Sequence, residues 1–226
     1  MAQVISTLDN AIEYLNFLYE GDSTPPTSGE EDYDVWKGLI NVAVDLWENE
    51  EGIFWNELFV KLDDAATGDK TIDSSDFSYA VPTDFRYPAS GYVWLGSGDN
   101  KTPFKVIKQK DLQLYENDTG NWCYFLLDGS PTLEFNPNAN LPDGYTIRYN
   151  YYKKADKLTT GSDTFDMSDP MFAVYYALSE LKKEEGDTSA LTIAEQKLES
   201  MKTRNMNVSD WQEDTLIPKI GGGMGV

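Results

Sequence analysis

Histidine is absent from this chain of 226 residues, and cysteine occurs once, at Cys123. Without imidazole the chain has neither the usual neutral-pH general base nor the commonest metal ligand. Ser-His-Asp triads, Cys-His dyads and ordinary zinc sites are closed to it. A single thiol forms no intrachain disulfide and suits assembly in a reducing compartment. Positive charge is also scarce, since 18 Lys or Arg face 39 Asp or Glu for a net charge of −21. No apolar run approaches the roughly 18–20 residues of a membrane span. The opening MAQVISTLDNAIEYL lacks a basic segment before an apolar block, so no secretory signal is expected.

What remains is a chain built to fold. Apolar residues make up 40% and aromatics 13%, too much for disorder. The length suits one large domain or two small ones. Acid is concentrated early: residues 1–80 hold 18 Asp or Glu against 3 Lys or Arg. Such a surface repels phosphate backbones, and it fits a basic protein partner or a wall past which nucleic acid slides.

Helical periodicity covers 4–19, where Ile5, Leu8, Ile12, Leu15, Phe17 and Leu18 share a side. The acidic stretch EGDSTPPTSGEEDYD reads as a loop, and its acids lack the spacing of a calcium-binding loop. A second helix spans 33–48, with Trp36, Leu39, Ile40, Val42, Ala43 and Leu46 on its apolar side. A third is expected from Ile53 through Phe54, Leu58 and Phe59 to Leu62. After the polar linker 63–76 come short aromatic runs between Pro and Gly turns, spaced as the strands of a small sheet or barrel. Helical period returns at Met171 behind Ser168, Asp169 and Pro170, and again from Leu191 to Met201. The order predicts an α+β fold: a helical bundle domain (1–76 and 156–206) with an inserted β-sheet or barrel module (77–155) and an extended C-terminal tail (207–226).

PDGYTIRYNYYKKADKLT, residues 142–159, sets aromatics beside cations in this acidic chain. Asp143-Gly144 signals a turn, after which Tyr145, Ile147, Tyr149 and Tyr151 alternate with Thr146, Arg148, Asn150 and Tyr152. That is the pattern of a half-buried strand, and the run lacks the signature of an aromatic RNA-binding sheet. GSGDNKT, 96–102, lacks phosphate-loop spacing and reads as a β-turn. Two other readings stay open. A carbohydrate-binding module would use Trp94, Trp122, Tyr151 and Tyr152 as exposed, coplanar platforms. A carboxylate-only glycoside hydrolase would need two flanking acids, and among Asp84, Asp128 and Glu134 no pair stands out.

Three phrases occur in a telling order: LFVKLDDAATGDKTID, YAVPTDFRYP, and LEFNPNANLPDGYTIRYNYYKKADKLTTGSDTFDMSDPMFAVYYAL. Together they resemble the head-to-tail adaptor, or connector ring, proteins of short-tailed bacteriophages. Pro82-Thr83-Asp84-Phe85 matches the phrase entering the β module, Leu141-Pro142-Asp143-Gly144 the phrase before its Tyr-rich strand. Leu158-Thr159, Ser162-Asp163 and Asp169-Pro170 match the phrases leading to the C-terminal helix. The resemblance covers roughly residues 36–205. It implies a structural virion protein at the head-tail junction, assembled in the host cytoplasm. It also implies a homo-oligomeric ring, typically of twelve copies, that contacts the portal protein and tail or further neck-ring proteins. DNA passes through such a ring without specific binding, and neither a catalytic residue, a cofactor, a metal nor a membrane is required. On this reading Glu30, Glu31, Asp32, Glu50 and Glu51 are candidates to line the channel. Trp211, Leu216, Ile217, Ile220 and Val226 are candidate tail anchors for the portal.

Overall fold

Thr7 sits in extended backbone and its Oγ1 accepts the Asn10 N–H at 3.4 Å, which starts helix α1 (Leu8–Tyr19). In the computed structural model, which describes residues 5–21, 24–62, 71–97 and 100–216, three more helices follow. They are α2 (Glu31–Glu48), α3 (Met171–Leu181) and α4 (Ser189–Leu216). The strands are β1 (Phe59–Leu62), β2 (Ser78–Ala80), β3 (Phe85–Pro88), β4 (Tyr92–Ser97), β5 (Asn100–Val106), β6 (Trp122–Leu126), β7 (Thr132–Phe135) and β8 (Thr146–Lys153). The fold is α+β. The chain divides into a helical unit, Met1–Glu57 with Ala155–Val226, and a β unit, Leu58–Lys154.

In the helical unit α3 packs against α1, α2 and α4. It has the apolar composition to do so, burying Phe172, Ala173, Val174, Ala177 and Leu178. Asp169 Oδ1 accepts the Met171 N–H at 3.2 Å, so the expected acidic start is present, with Pro170 in the cap position itself. Leu8, Ile12 and Leu15 of α1 are buried as their spacing predicts, whereas Phe17 is 61% exposed. On α2 the buried side is Tyr33, Trp36, Ile40, Ala43, Val44 and Trp47, and Val42 and Leu46, expected on that side, face outward. Nearly every turn of α2 is apolar on both sides, so periodicity alone could not choose which side its neighbours cover.

Two expectations are corrected. The third helix does not form: Asn56–Leu58 makes one 3-10 turn, and Phe59–Leu62 becomes β1, paired antiparallel with β8 in the register Phe59 with Tyr152 and Leu62 with Tyr149. The FVKL run satisfies a period of two as well as 3.6, and eight-stranded pairing decided between them. The β unit thus begins ahead of residue 77. The second correction concerns the tail, since α4 continues to Leu216 and residues 207–216 are helical rather than extended. Their lack of large apolar residues at helical spacing hid this.

The sheet runs in the order β1-β8-β4-β5-β6-β7-β2, with β3 also on β8. All of its pairings are antiparallel except that of β5 with β6. The turn into β8 is as the sequence predicts. Gly144 has φ +74°, a left-handed conformation that glycine adopts without strain, and its N–H donates to the Ile72 carbonyl at 2.9 Å. From there Ile147, Tyr149 and Tyr151 point into the core and their neighbours outward. That core is aromatic. Phe85 stacks between Phe125 (4.8 Å between ring centres) and Tyr151 (5.4 Å), and Phe104 meets Phe135 edge-on at 5.1 Å. Phe85→Ala is expected to cost about 3–5 kcal/mol, because it removes both stacks from a fully enclosed position. Urea unfolding of the two proteins measures this directly.

Candidate assembly surfaces

The helical unit holds 26 Asp or Glu against 8 Lys or Arg, and the β unit 13 against 10. The charge therefore belongs almost entirely to the helices. Within them five of the eight cations are spent on local acids: Lys37 on Asp34, Lys157 on Asp45, Lys183 on Glu180, Lys197 on Asp169, and Lys202 on both Glu50 and Glu199.

The five channel candidates fall into two groups. Glu30, Glu31 and Asp32 are exposed at the start of α2, where a helix N-terminus favours carboxylates. Glu50 and Glu51 follow its far end, about 27 Å away for 18 residues at 1.5 Å each. Glu51 is exposed, while Glu50 is engaged with Lys202. Of the tail candidates, Trp211 and Leu216 belong to α4, and Ile217, Ile220 and Val226 lie outside the described residues.

The Leu158-Thr159 and Ser162-Asp163 phrases build a polar clasp. Asp163 accepts from the N–H groups of Thr159 (2.7 Å) and Thr160 (2.8 Å) and from both threonine hydroxyls (2.9 and 2.6 Å). These four donors, the Thr160 hydroxyl foremost, hold its carboxyl far below the usual carboxylate range. The shaped loop in turn presents the Asp163 and Gly161 carbonyls to the Leu8 and Asp9 N–H groups at 3.0 Å, satisfying the first turn of α1. Asn41 grips the same loop, donating to the Leu158 carbonyl at 2.9 Å and accepting its N–H at 3.0 Å. Asn205, buried on α4, donates to the Phe54 carbonyl and accepts the Asn56 N–H, both at 2.9 Å. Sequence reasoning missed both asparagines, because a lone Asn inside a helical period carries no signal of its partner.

On the sheet, Lys61, Ser90, Tyr92, Trp94, Lys101, Arg148, Tyr149 and Asn150 line an open cleft of about 360 Å³. Pairing assembles it: Trp94 lies opposite Arg148, Lys61 opposite Asn150, and Gly96 opposite Lys101. Among the described residues no carboxylate lines the cleft, and the buried Arg148 Nε has no hydrogen-bond partner. Trp94 is exposed as expected, but Trp122 and Tyr151 are buried and Tyr152 is half-buried. The exposed pair Tyr92 and Trp94 are tilted by 39° at 6.1 Å, not the coplanar platform that stacking on sugar rings would use. Two of the three acids weighed for hydrolysis have structural partners instead. Asp84 accepts the Tyr151 hydroxyl at 3.1 Å, and Glu134 accepts the Ser78 and Thr132 hydroxyls at 2.6 Å each.

A family model, the SU10 adaptor protein, matches residues 19–216. The chain belongs to the SU10 adaptor protein family. That makes it a phage adaptor, a structural component of the virion, in a family whose role implies contacts with portal and tail proteins. No curated protein matches the chain. Among the described residues, no helix is long and apolar enough to cross a membrane.

The Asp163 clasp sets a pH dependence. Its folded pKa is depressed, so its stabilisation is complete above the unfolded carboxylate value of about 4 and is lost as pH falls below it. The melting temperature of Asp163→Asn should therefore lie below that of the parent at pH 7, with the gap closing as both are titrated towards pH 2. A gap independent of pH would assign the effect to packing.

Proposed function

We propose that the chain is a subunit of the head-to-tail adaptor ring of a short-tailed phage, docked on the portal and forming part of the channel through which the genome passes. Family membership over residues 19–216 carries this reading. The charge of the helical unit supports it. A channel wall rich in carboxylates and poor in free cations releases no phosphate counterions and gives DNA little to adhere to. Glu30, Glu31 and Asp32 at one end of α2, and Glu50 and Glu51 at the other, supply that wall as two belts, with Glu50 shared with Lys202.

The C-terminal segment docks on the portal through Trp211, Leu216, Ile217, Ile220 and Val226. These side chains lie beyond Asn205, among the described residues the last whose side chain ties α4 to another segment of the helical unit. The ring assembles in the host cytoplasm.

Two measurements test the reading. Particles purified on a density gradient should contain this chain at a fixed low ratio to the major capsid protein, roughly a dozen copies each for a closed cyclic ring. Absence from particles would remove the adaptor role. Separately, a chain lacking residues 207–226 should melt within a few degrees of the parent and lose capture by purified portal. Undiminished capture would place the portal contact elsewhere.

A further inference from the structure

Helix α2 has a second apolar side that none of the described residues covers. Val35, Val42 and Leu46 are 49%, 44% and 45% exposed, and Leu39 between them is half-buried. Their spacing of four, three and four residues is that of a coiled-coil seam, which packs only against another surface. Gly38 leaves open space beside the seam, since a side chain there would meet nothing. Acids flank it at both ends: Glu31, Asp32 and Asp34 before it, and Asp45 alongside, with Asp34 shared with Lys37 and Asp45 with Lys157.

Those acids select the partner. Pairing α2 with α2 of another copy, parallel or antiparallel, sets carboxylates against carboxylates at one end or both. The seam needs an apolar surface edged by cations. In the helical unit five of the eight cations, Lys37, Lys157, Lys183, Lys197 and Lys202, are already paired with its own acids. The sheet cleft has the required composition. Tyr92 and Trp94 are 48% and 39% exposed, Lys61, Lys101 and Arg148 surround them, and among the described residues no acid lines the site.

We propose that α2 of one copy seats its Val35-Leu39-Val42-Leu46 seam on the Tyr92–Trp94 cleft of a second copy, its flanking carboxylates against Lys101 and Arg148. Different patches meet, so each copy keeps one of each free, and contacts of this kind propagate until a ring closes. The inference rests on the adaptor-ring reading and names the surfaces by which that ring joins its subunits.

Cross-linking in particles tests it. Cys123 is fully buried, so thiols introduced at the surface react alone. Val42→Cys and Tyr92→Cys replace exposed side chains. Particles carrying both changes in one chain should give, with a short bis-maleimide, a ladder of dimers, trimers and higher species of this chain. Particles with either change alone should give none, and particles assembled from a mixture of the two single variants should stop at dimers. A dimer from Val42→Cys alone would mean α2 pairs with itself, and a cross-link to the portal would give α2 a different occupant. Either result overturns the proposal, as does the absence of a ladder in particles that contain the chain. Particles that lack the chain altogether overturn the adaptor reading, and this interface with it.

Discussion

Strand β8 bonds to β1, β3 and β4, and the β unit is organised around it. Its alternation is what allows this. Ile147, Tyr149 and Tyr151 supply the floor of the aromatic core, while Arg148 and Asn150 help line the cleft on the other face. One eight-residue run thereby commits both the interior and the recognition surface, because successive side chains of a strand must part company. A slip of one residue would bury Arg148 and expose three large apolar side chains. The turn at Asp143-Gly144 and the Tyr151 hydroxyl on Asp84 both hold that register.

The helical unit is held differently. Its helices pack through small and medium apolar residues around α3, but the loops between them are fastened by polar side chains on backbone groups. Asp163, Asn41 and Asn205 each satisfy several donors or acceptors that the chain would otherwise bury or leave to water. Such clasps fix loop positions without adding cations, so a unit with 26 acids and 8 bases can be rigid and still present an almost wholly negative exterior.

Much of this could be read from the sequence, for physical reasons that differ by element. β8 was legible because its period is unambiguous and a glycine turn precedes it. The helices around Leu8–Leu15, Trp36–Trp47 and Phe172–Leu181 were legible because apolar residues recur through each at helical spacing, although on α2 they occupy two sides and left the covered one undecided. Phe59–Leu62 was not, since four residues fit either period and the strand they pair with lies about ninety positions away. Nor was the exposure of Phe17, Val42 and Leu46: hydrophobicity says that a side chain prefers cover, and only the fold says whether the same chain supplies it. The cleft was hidden for a related reason. Its cations and aromatics come from β1, β4, β5 and β8, and only cross-strand pairing makes them neighbours.

The buried thiol and tyrosines have a wider consequence. Among the described residues, every group whose titration is displaced is displaced away from neutrality. Burial pushes the Cys123 thiol and the Tyr149 and Tyr151 hydroxyls up, and burial beside Asp9 pushes Tyr33 up to about 12. Hydrogen bonds push Asp73, Asp163 and Asp187 down. With no histidine to titrate in between, acidification from the cytoplasmic range to that of an acidic medium gives the fold no electrostatic trigger of the usual kind. A joint made this way responds to what touches it or pulls on it, and answers to protons only in strongly acid solution, where clasps such as that of Asp163 are lost.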